Sequence, residues 1–305
     1  MALLNALFNV IVPVVLVAGT GAVLARRFTL DTQTISKISL QALTPALALH
    51  TLLTTEVSAG AMVQVSVAYT AVTLVGVVLG LVIGLGMGLP SEKRRAVMVT
   101  GAIGNTGNMG LPIALFALGQ VGFDQSVLLF IASVVLGFIV FPLVYGSAGG
   151  MRSAVMKMIR MPVMWAMLFA VILRSLGWSL PQGVMSGVEL LSQATLPMVL
   201  LALGIQLGAT GRPRLTASVL VASGIRIFVM PVVAVGVGLL IGMHGIPLQS
   251  LVLASAMPSA VNAYLFAIEM KGDTRTVGDT VTVTTVMSFV TVALVTWMLP
   301  WIGTL

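Results

Sequence analysis

The sequence lacks cysteine altogether, so disulfides, thiolate metal sites and a thiol nucleophile are excluded. It is nearly as poor in charge. With 15 basic and 8 acidic residues in 305, charged side chains make up 8% of the chain, where a soluble domain carries about 25%. Two histidines and scattered carboxylates leave no clustered acids and no His-rich constellation for hydrolytic or redox chemistry. No phosphate-cradling glycine loop is present either, so neither an enzyme nor an ATP-driven device is expected, and no cofactor. What the chain has in excess is apolar surface: 58% hydrophobic residues and a mean hydropathy of +1.13. Lipid must be its main solvent. The basic isoelectric point, about 10.6, comes from residues spread among short loops and not from a dense patch, so nucleic acid is no expected partner. The fold class is an all-α polytopic membrane protein.

The apolar run over residues 3–25 is long enough to cross a ~30 Å hydrocarbon core, and no charge precedes it while Arg26 and Arg27 follow it. That order is opposite to a secretory signal peptide. Nine further runs follow, roughly 36–54, 62–88, 96–119, 126–148, 161–177, 184–208, 215–242, 247–268 and 278–301. Ten transmembrane helices are therefore expected. With alternating loops, one side receives Arg26, Arg27, Lys37, Lys93, Arg94, Arg95, Arg152, Lys157, Arg160, Arg212, Arg214, Lys271 and Arg275, which is 13 of the 15 basic residues. The exceptions are Arg174 and Arg226. The rich side is cytoplasmic by the positive-inside rule, which puts both termini outside and the protein in the cell (inner) membrane. Trp165, Trp178, Trp297 and Trp301 fall near span ends, as interfacial anchors do. The 19 methionines show no copper-ligand spacing and suit adaptable core filling.

Two halves resemble each other. Phe141-Pro142-Leu143-Val144-Tyr145-Gly146 closes the fifth run and Leu299-Pro300-Trp301-Ile302-Gly303 the tenth, while Leu43-Thr44-Pro45-Ala46-Leu47 is echoed by Thr195-Leu196-Pro197-Met198-Val199, 152 residues later. A unit with an odd number of spans must return upside down. The expectation is a five-plus-five inverted repeat, residues 1–150 and 151–305, the architecture of secondary transporters.

The fourth run holds Gly101-Ala102-Ile103-Gly104-Asn105-Thr106-Gly107-Asn108-Met109-Gly110-Leu111-Pro112, and the ninth holds Ala254-Ser255-Ala256-Met257-Pro258-Ser259-Ala260-Val261-Asn262-Ala263-Tyr264. Glycines, amides and proline at such density argue against continuous helix. Arg95 to Asn105 and Pro247 to Met257 each span ten residues, about 15 Å of helix and half the hydrocarbon. Helices 4 and 9 should therefore be broken at the membrane centre, where loose backbone is tolerated only against protein or a polar cavity. Helices restarting near Pro112 and at Pro258 would turn positive ends inward and favour an anion. The half-helices before them end in carbonyls that, with Asn, Ser and Thr oxygens, suit Na⁺. For one such helix, close packing through small residues is the simpler reading; two in corresponding places point to a site.

Three ionisable residues stand apart. Arg226 lies twelve residues after Arg214, about 18 Å into the eighth run. It either attracts an anion or snorkels to the cytoplasmic surface. His50 in the second run is either a packed side chain or the carrier of a coupling proton. His244 belongs to an outer loop. No carboxylate falls at a membrane centre, which disfavours a paired-acid antiporter.

Over nearly its whole length, and most specifically at Gly104-Asn105-Thr106-Gly107-Asn108-Met109-Gly110-Leu111-Pro112 and Ala256-Met257-Pro258-Ser259-Ala260-Val261-Asn262-Ala263, the sequence resembles the auxin efflux carrier family of bacterial and plant transporters. The resemblance implies scaffold and transport domains, crossed breaks in helices 4 and 9, a homodimer through the scaffold, and a substrate carboxylate at Asn105. Sodium/proton antiporters and bile-acid sodium symporters look architecturally similar. The chain departs from plant members in its short central loop, about Gly149 to Arg160, in Met161-Pro162 where relatives have Asn-Pro, and in Gln64 without an acid–lysine pair. An auxin-specific site is not supported.

The expected function is secondary or facilitative transport of a small organic anion, a carboxylate, by elevator-like alternating access. Asn105, Thr106, Gly107, Asn108, Gly110, Pro112, Arg226, Pro258, Ser259 and Asn262 are the candidate binding residues, with His50 and Ser255 as coupling candidates for Na⁺ or H⁺. A cation-coupled exchanger of the same fold, a channel and a sensor are the competing readings.

Overall fold

The computed structural model describes residues 7–146, 155–156, 158–209 and 212–305. Arg152, Lys157, the boundary at 150/151 and the first residues of the opening run lie outside them. Among the described residues the architecture is all-helical, and one isolated bridge is the sole strand-like pairing.

A π turn at Leu7–Ile11 leads into α1 (Val12–Arg27), which ends on its basic pair. The short α2 (Thr32–Ile38) continues through a π turn into α3 (Thr44–Thr54), with Pro45 in the first turn of α3, where a missing N–H costs nothing. The long α4 (Ala59–Gly86) starts at a Ser58 cap whose hydroxyl accepts from the Ala61 N–H. After α5 (Ser91–Ala102), a π turn at Thr106–Gly110 opens α6 (Leu111–Tyr145). Then come α7 (Pro162–Leu176), α8 (Gln182–Ala209), α9 (Ala217–Gly224), a π turn at Ile225–Val229, and α10 (Met230–Leu240). The last three are α11 (Gly245–Ser255), α12 (Asn262–Glu269) and α13 (Thr274–Ile302). Asp273 caps α13, its carboxylate accepting from the Thr276 N–H at 2.9 Å.

Every one of the apolar runs is helical in whole or part. Among the described residues six segments are long and apolar enough to cross a membrane: Phe8–Arg27, Ala59–Gly86, Thr106–Tyr145, Gln182–Gly208, Ala217–Leu240 and Thr274–Ile302. Pro162–Leu176 and Gly245–Ser255 are shorter apolar helices. One expectation needs correction. The connection at 120–125 is not a loop, because helix resumes directly after Gly119, whose φ of +67° and ψ of −163° divide α6. Glycine alone takes that conformation without strain, so one residue does the work of six.

Two groups of helices form. In the first, α1, α3, α7 and α8 pack on one another. Its seam is α1 against α8, where Gly204 lies on the backbone of Ala18 and Gly208 on that of Ala22. This is small-residue spacing, which lets two backbones touch where lipid supplies no hydrophobic drive. The second group gathers α4, α5, α6 and α9 to α13 around the ends of α5 and α11. The π turn at Thr106–Gly110 belongs to the second group and rests on α8 of the first.

The two basic residues that stand outside the expected charge pattern both satisfy helix ends. Arg174 donates to the carbonyls of Leu52 at 3.0 Å and Val57 at 2.9 Å, closing α3. Arg226 does the corresponding work at the centre of the second group.

Candidate functional site

α5 has 12 residues and α11 has 11, so they rise only about 18 and 16 Å, short of a ~30 Å core. Each stops midway. Their ends meet: Gly104 and Ser259 form an antiparallel bridge, the Asn105 N–H donates to the Pro258 carbonyl at 2.7 Å, and the Ala260 N–H donates to the Ile103 carbonyl at 2.9 Å. Main-chain groups left bare in hydrocarbon cost several kcal/mol each, and here the two breaks satisfy one another.

The second break is fastened further. The Ser259 N–H donates to Thr284 Oγ1 on α13 at 3.1 Å, and Ser259 Oγ donates to the Thr100 carbonyl on α5 at 2.7 Å. Residues 251–260 are buried throughout. The helix does not restart at Pro258, as its sequence suggests, but at Asn262, after Val261. The physical reason is the bridge: residues 258–260 spend their backbone on pairing with α5 and cannot also begin a turn. Pro112, by contrast, does sit in the first turn of α6.

Asn105 is 6% exposed and closes the first break. Its Oδ1 accepts from the Asn108 N–H at 3.3 Å and its carbonyl accepts from the Gly110 N–H at 3.1 Å. Because an N–H can donate only to the amide oxygen, the NH₂ end is what remains, and it is buried without a protein partner. Thr106, Gly107 and Gly110 are buried around it and Asn108 is half-buried. A Cβ on Gly107 would stand 2.6 Å from the Phe130 ring, and one on Gly110 would stand 3.3 Å from Met257, which brings the breaks together again.

Arg226 is 1% exposed, so it does not snorkel. Its Nη1 donates to the Ala102 carbonyl at 2.6 Å and its Nη2 to the Ser255 carbonyl. These are the last residues of α5 and α11. The carbonyl ends expected to suit Na⁺ thus already hold a guanidinium. Ser255 enters through its carbonyl, while its hydroxyl, like those of Ser223, Ser250 and Tyr69, is buried without a protein partner.

Two expected residues lie apart from this cluster. His50 is half-buried on α3, which packs mainly on α7 and α8. Asn262 is exposed in the first turn of α12. Thr100 and Thr284, which hold Ser259, escape sequence reasoning. Threonine recurs along α13 at 274, 276, 280, 282, 284, 285, 291 and 296, and nothing in that pattern singles out one. Among the described residues no three His, Asp or Glu side chains group as metal ligands.

Comparison with known proteins gives a consistent answer. The model of a family described as membrane transport protein matches residues 6–146 and 150–296. An uncharacterized transporter of Methanothermobacter thermautotrophicus is 28% identical over 209 residues, covering 68% of each chain. An uncharacterized transporter of Methanocaldococcus jannaschii is 26% identical over 221 residues, covering 69% of this chain and 70% of the relative.

Proposed function

We propose, from the premise that this multi-pass chain belongs to the membrane transport protein family of the auxin efflux carriers, that it carries a small organic anion with a carboxylate group. The observation that supports this reading is the buried, unpartnered NH₂ of Asn105 at the start of a long helix. Such an amide donates to an oxygen, and the adjoining helix end adds a favourable ~0.3–1 kcal/mol for negative charge. Thr106 and the backbone to Pro112 extend the same surface; Pro258 and Ser259 frame it, and Asn262 on α12 offers a second amide.

In this reading the second group of helices is the moving, transport domain and α1, α3, α7 and α8 are the scaffold. Their contact at Thr106–Gly110 on α8 is where the anion would be exposed alternately to either side. Ten spans in two inverted halves are the matching topology, with both termini outside the cytoplasm of the cell (inner) membrane. Two contacts support the repeat. Thr195 Oγ1 donates to the Leu43 carbonyl at 3.2 Å across 152 positions, and Gly104 pairs with Ser259 across 155. A two-fold axis through both contacts would exchange the halves.

The test is a thermal-shift screen of the purified protein against mono- and dicarboxylates, repeated with Asn105→Ala. Stabilisation of the native protein by a carboxylate, lost in the variant, is the expected result. A carboxylate that stabilises both equally would overturn the role of Asn105.

A further inference from the structure

Among the described residues the guanidinium of Arg226 is held by main-chain carbonyls and not by a carboxylate. Its two strong partners are carbonyls, and each terminates a different half-helix. A helix C-terminus carries roughly −0.5 of an elementary charge, so two of them together offset the +1 of one guanidinium. The fork geometry suits this arrangement: two N–H groups diverge from one planar centre, and each takes its own carbonyl. Gly104 makes room for it. A Cβ at that position would lie 3.2 Å from Cζ and Nη2, tighter than ordinary packing allows.

We propose that Arg226 is a tethered cation: it occupies, between the ends of α5 and α11, the place that a free monovalent cation would otherwise fill, and it positions both ends. The motivating features are its burial, its paired carbonyls and the glycine beneath it, and none depends on which substrate is carried. Arg226 is a positioning residue. Its charge is neutralised by the two C-termini, so the anion is left to the opposite, N-terminal ends. Removing the side chain to Cβ leaves a cavity with two unpaired carbonyls facing each other, shaped for a guanidinium ion.

The experiment is chemical rescue of the purified full-length protein, followed by thermal unfolding. Arg226→Ala is expected to lower Tm by roughly 5–10 °C. Guanidinium chloride at about 10 mM is expected to restore at least half of that loss through binding to the native state, while leaving wild-type Tm unmoved. Urea at the same concentration, isosteric but uncharged, restores nothing. Absence of recovery with guanidinium, or equal recovery with urea, overturns the proposal. Should Arg226→Ala fail to purify, Arg226→Lys serves instead, because one ammonium cannot hold both ends with the geometry of the fork. Hydrogen exchange that quickens at 99–105 and 252–260 supports the assignment, and unchanged exchange there overturns it. No carboxylate enters either measurement, so failure here leaves the transport reading standing, and failure of the carboxylate screen leaves this one standing.

Discussion

The two breaks do the same job with different chemistry. The first, from Ile103 to Gly110, is made by glycine and asparagine. It turns back at once into helix and leaves an amide NH₂ unspent. The second, from Ala256 to Val261, is made by proline, serine and small apolar residues. It stays non-helical for six residues and its serine is tied on both sides. The difference teaches where binding and framing are divided. A polar group whose hydrogen bonds are all internal holds structure, whereas the Asn105 amide, like Ser255 Oγ and Arg226 Nε, keeps a donor that no protein group takes up. In the proposed reading Asn105, which opens the turn leading into α6, is the recognition group, and Ser259, bonded to Thr100 and Thr284, is the fastening.

Substitutions can break this division or sharpen it. The largest effect is expected at the first break: Asn105→Ala should lower uptake about 10- to 100-fold, the worth of a hydrogen bond to a charged partner. Its Tm should fall by only a few degrees, because the Asn108 N–H loses its cap. A proteoliposome assay with unaltered kinetics would contradict the assignment. Ser259→Ala should show the reverse signature, with stability falling by about 2 kcal/mol because the Thr100 carbonyl loses its partner, and with carboxylate affinity per folded molecule retained. Denaturant unfolding in mixed micelles reads the first quantity and equilibrium binding the second. Thr284→Val, nearly isosteric, should cost about 1 kcal/mol by stranding the Ser259 N–H, again without loss of affinity. The smallest change is expected at Asn262→Ala, within roughly threefold in uptake, since an exposed amide already hydrogen-bonds to water and gains little from a ligand. A larger loss there than at Asn105 would exchange the roles of the two breaks.

The crossing was legible in the sequence because its signals are backbone signals. Gly104, Asn105, Gly107, Pro112 and Pro258 all restrict or free main-chain geometry, and counting residues from Arg95 and Pro247 gave half-helices of about the length that α5 and α11 have. Arg226 was legible as an anomaly, a basic residue well inside an apolar run and outside the charge pattern of the loops. Its partners were not, since carbonyls belong to every residue and only folding decides which remain free. The restart at Asn262 was hidden for a related reason: Pro258 favours a first helical turn locally, yet the demand of the neighbouring break for main-chain partners overrides that preference. Thr100 and Thr284 carry no distinguishing mark, because a helical threonine ordinarily bonds its own preceding turn, as Thr284 also does with Thr280 at 2.8 Å. Gly119 replaced an expected loop with one left-handed residue, a choice that composition alone does not reveal.

The bridge between Gly104 and Ser259 runs through peptide groups, which mutation does not delete. Descendants of this chain are therefore free to exchange the side chains that meet the cargo while inheriting the same crossed girders. New preferences for cargo would arise by changing a few residues on a join that evolution has little means to unpick.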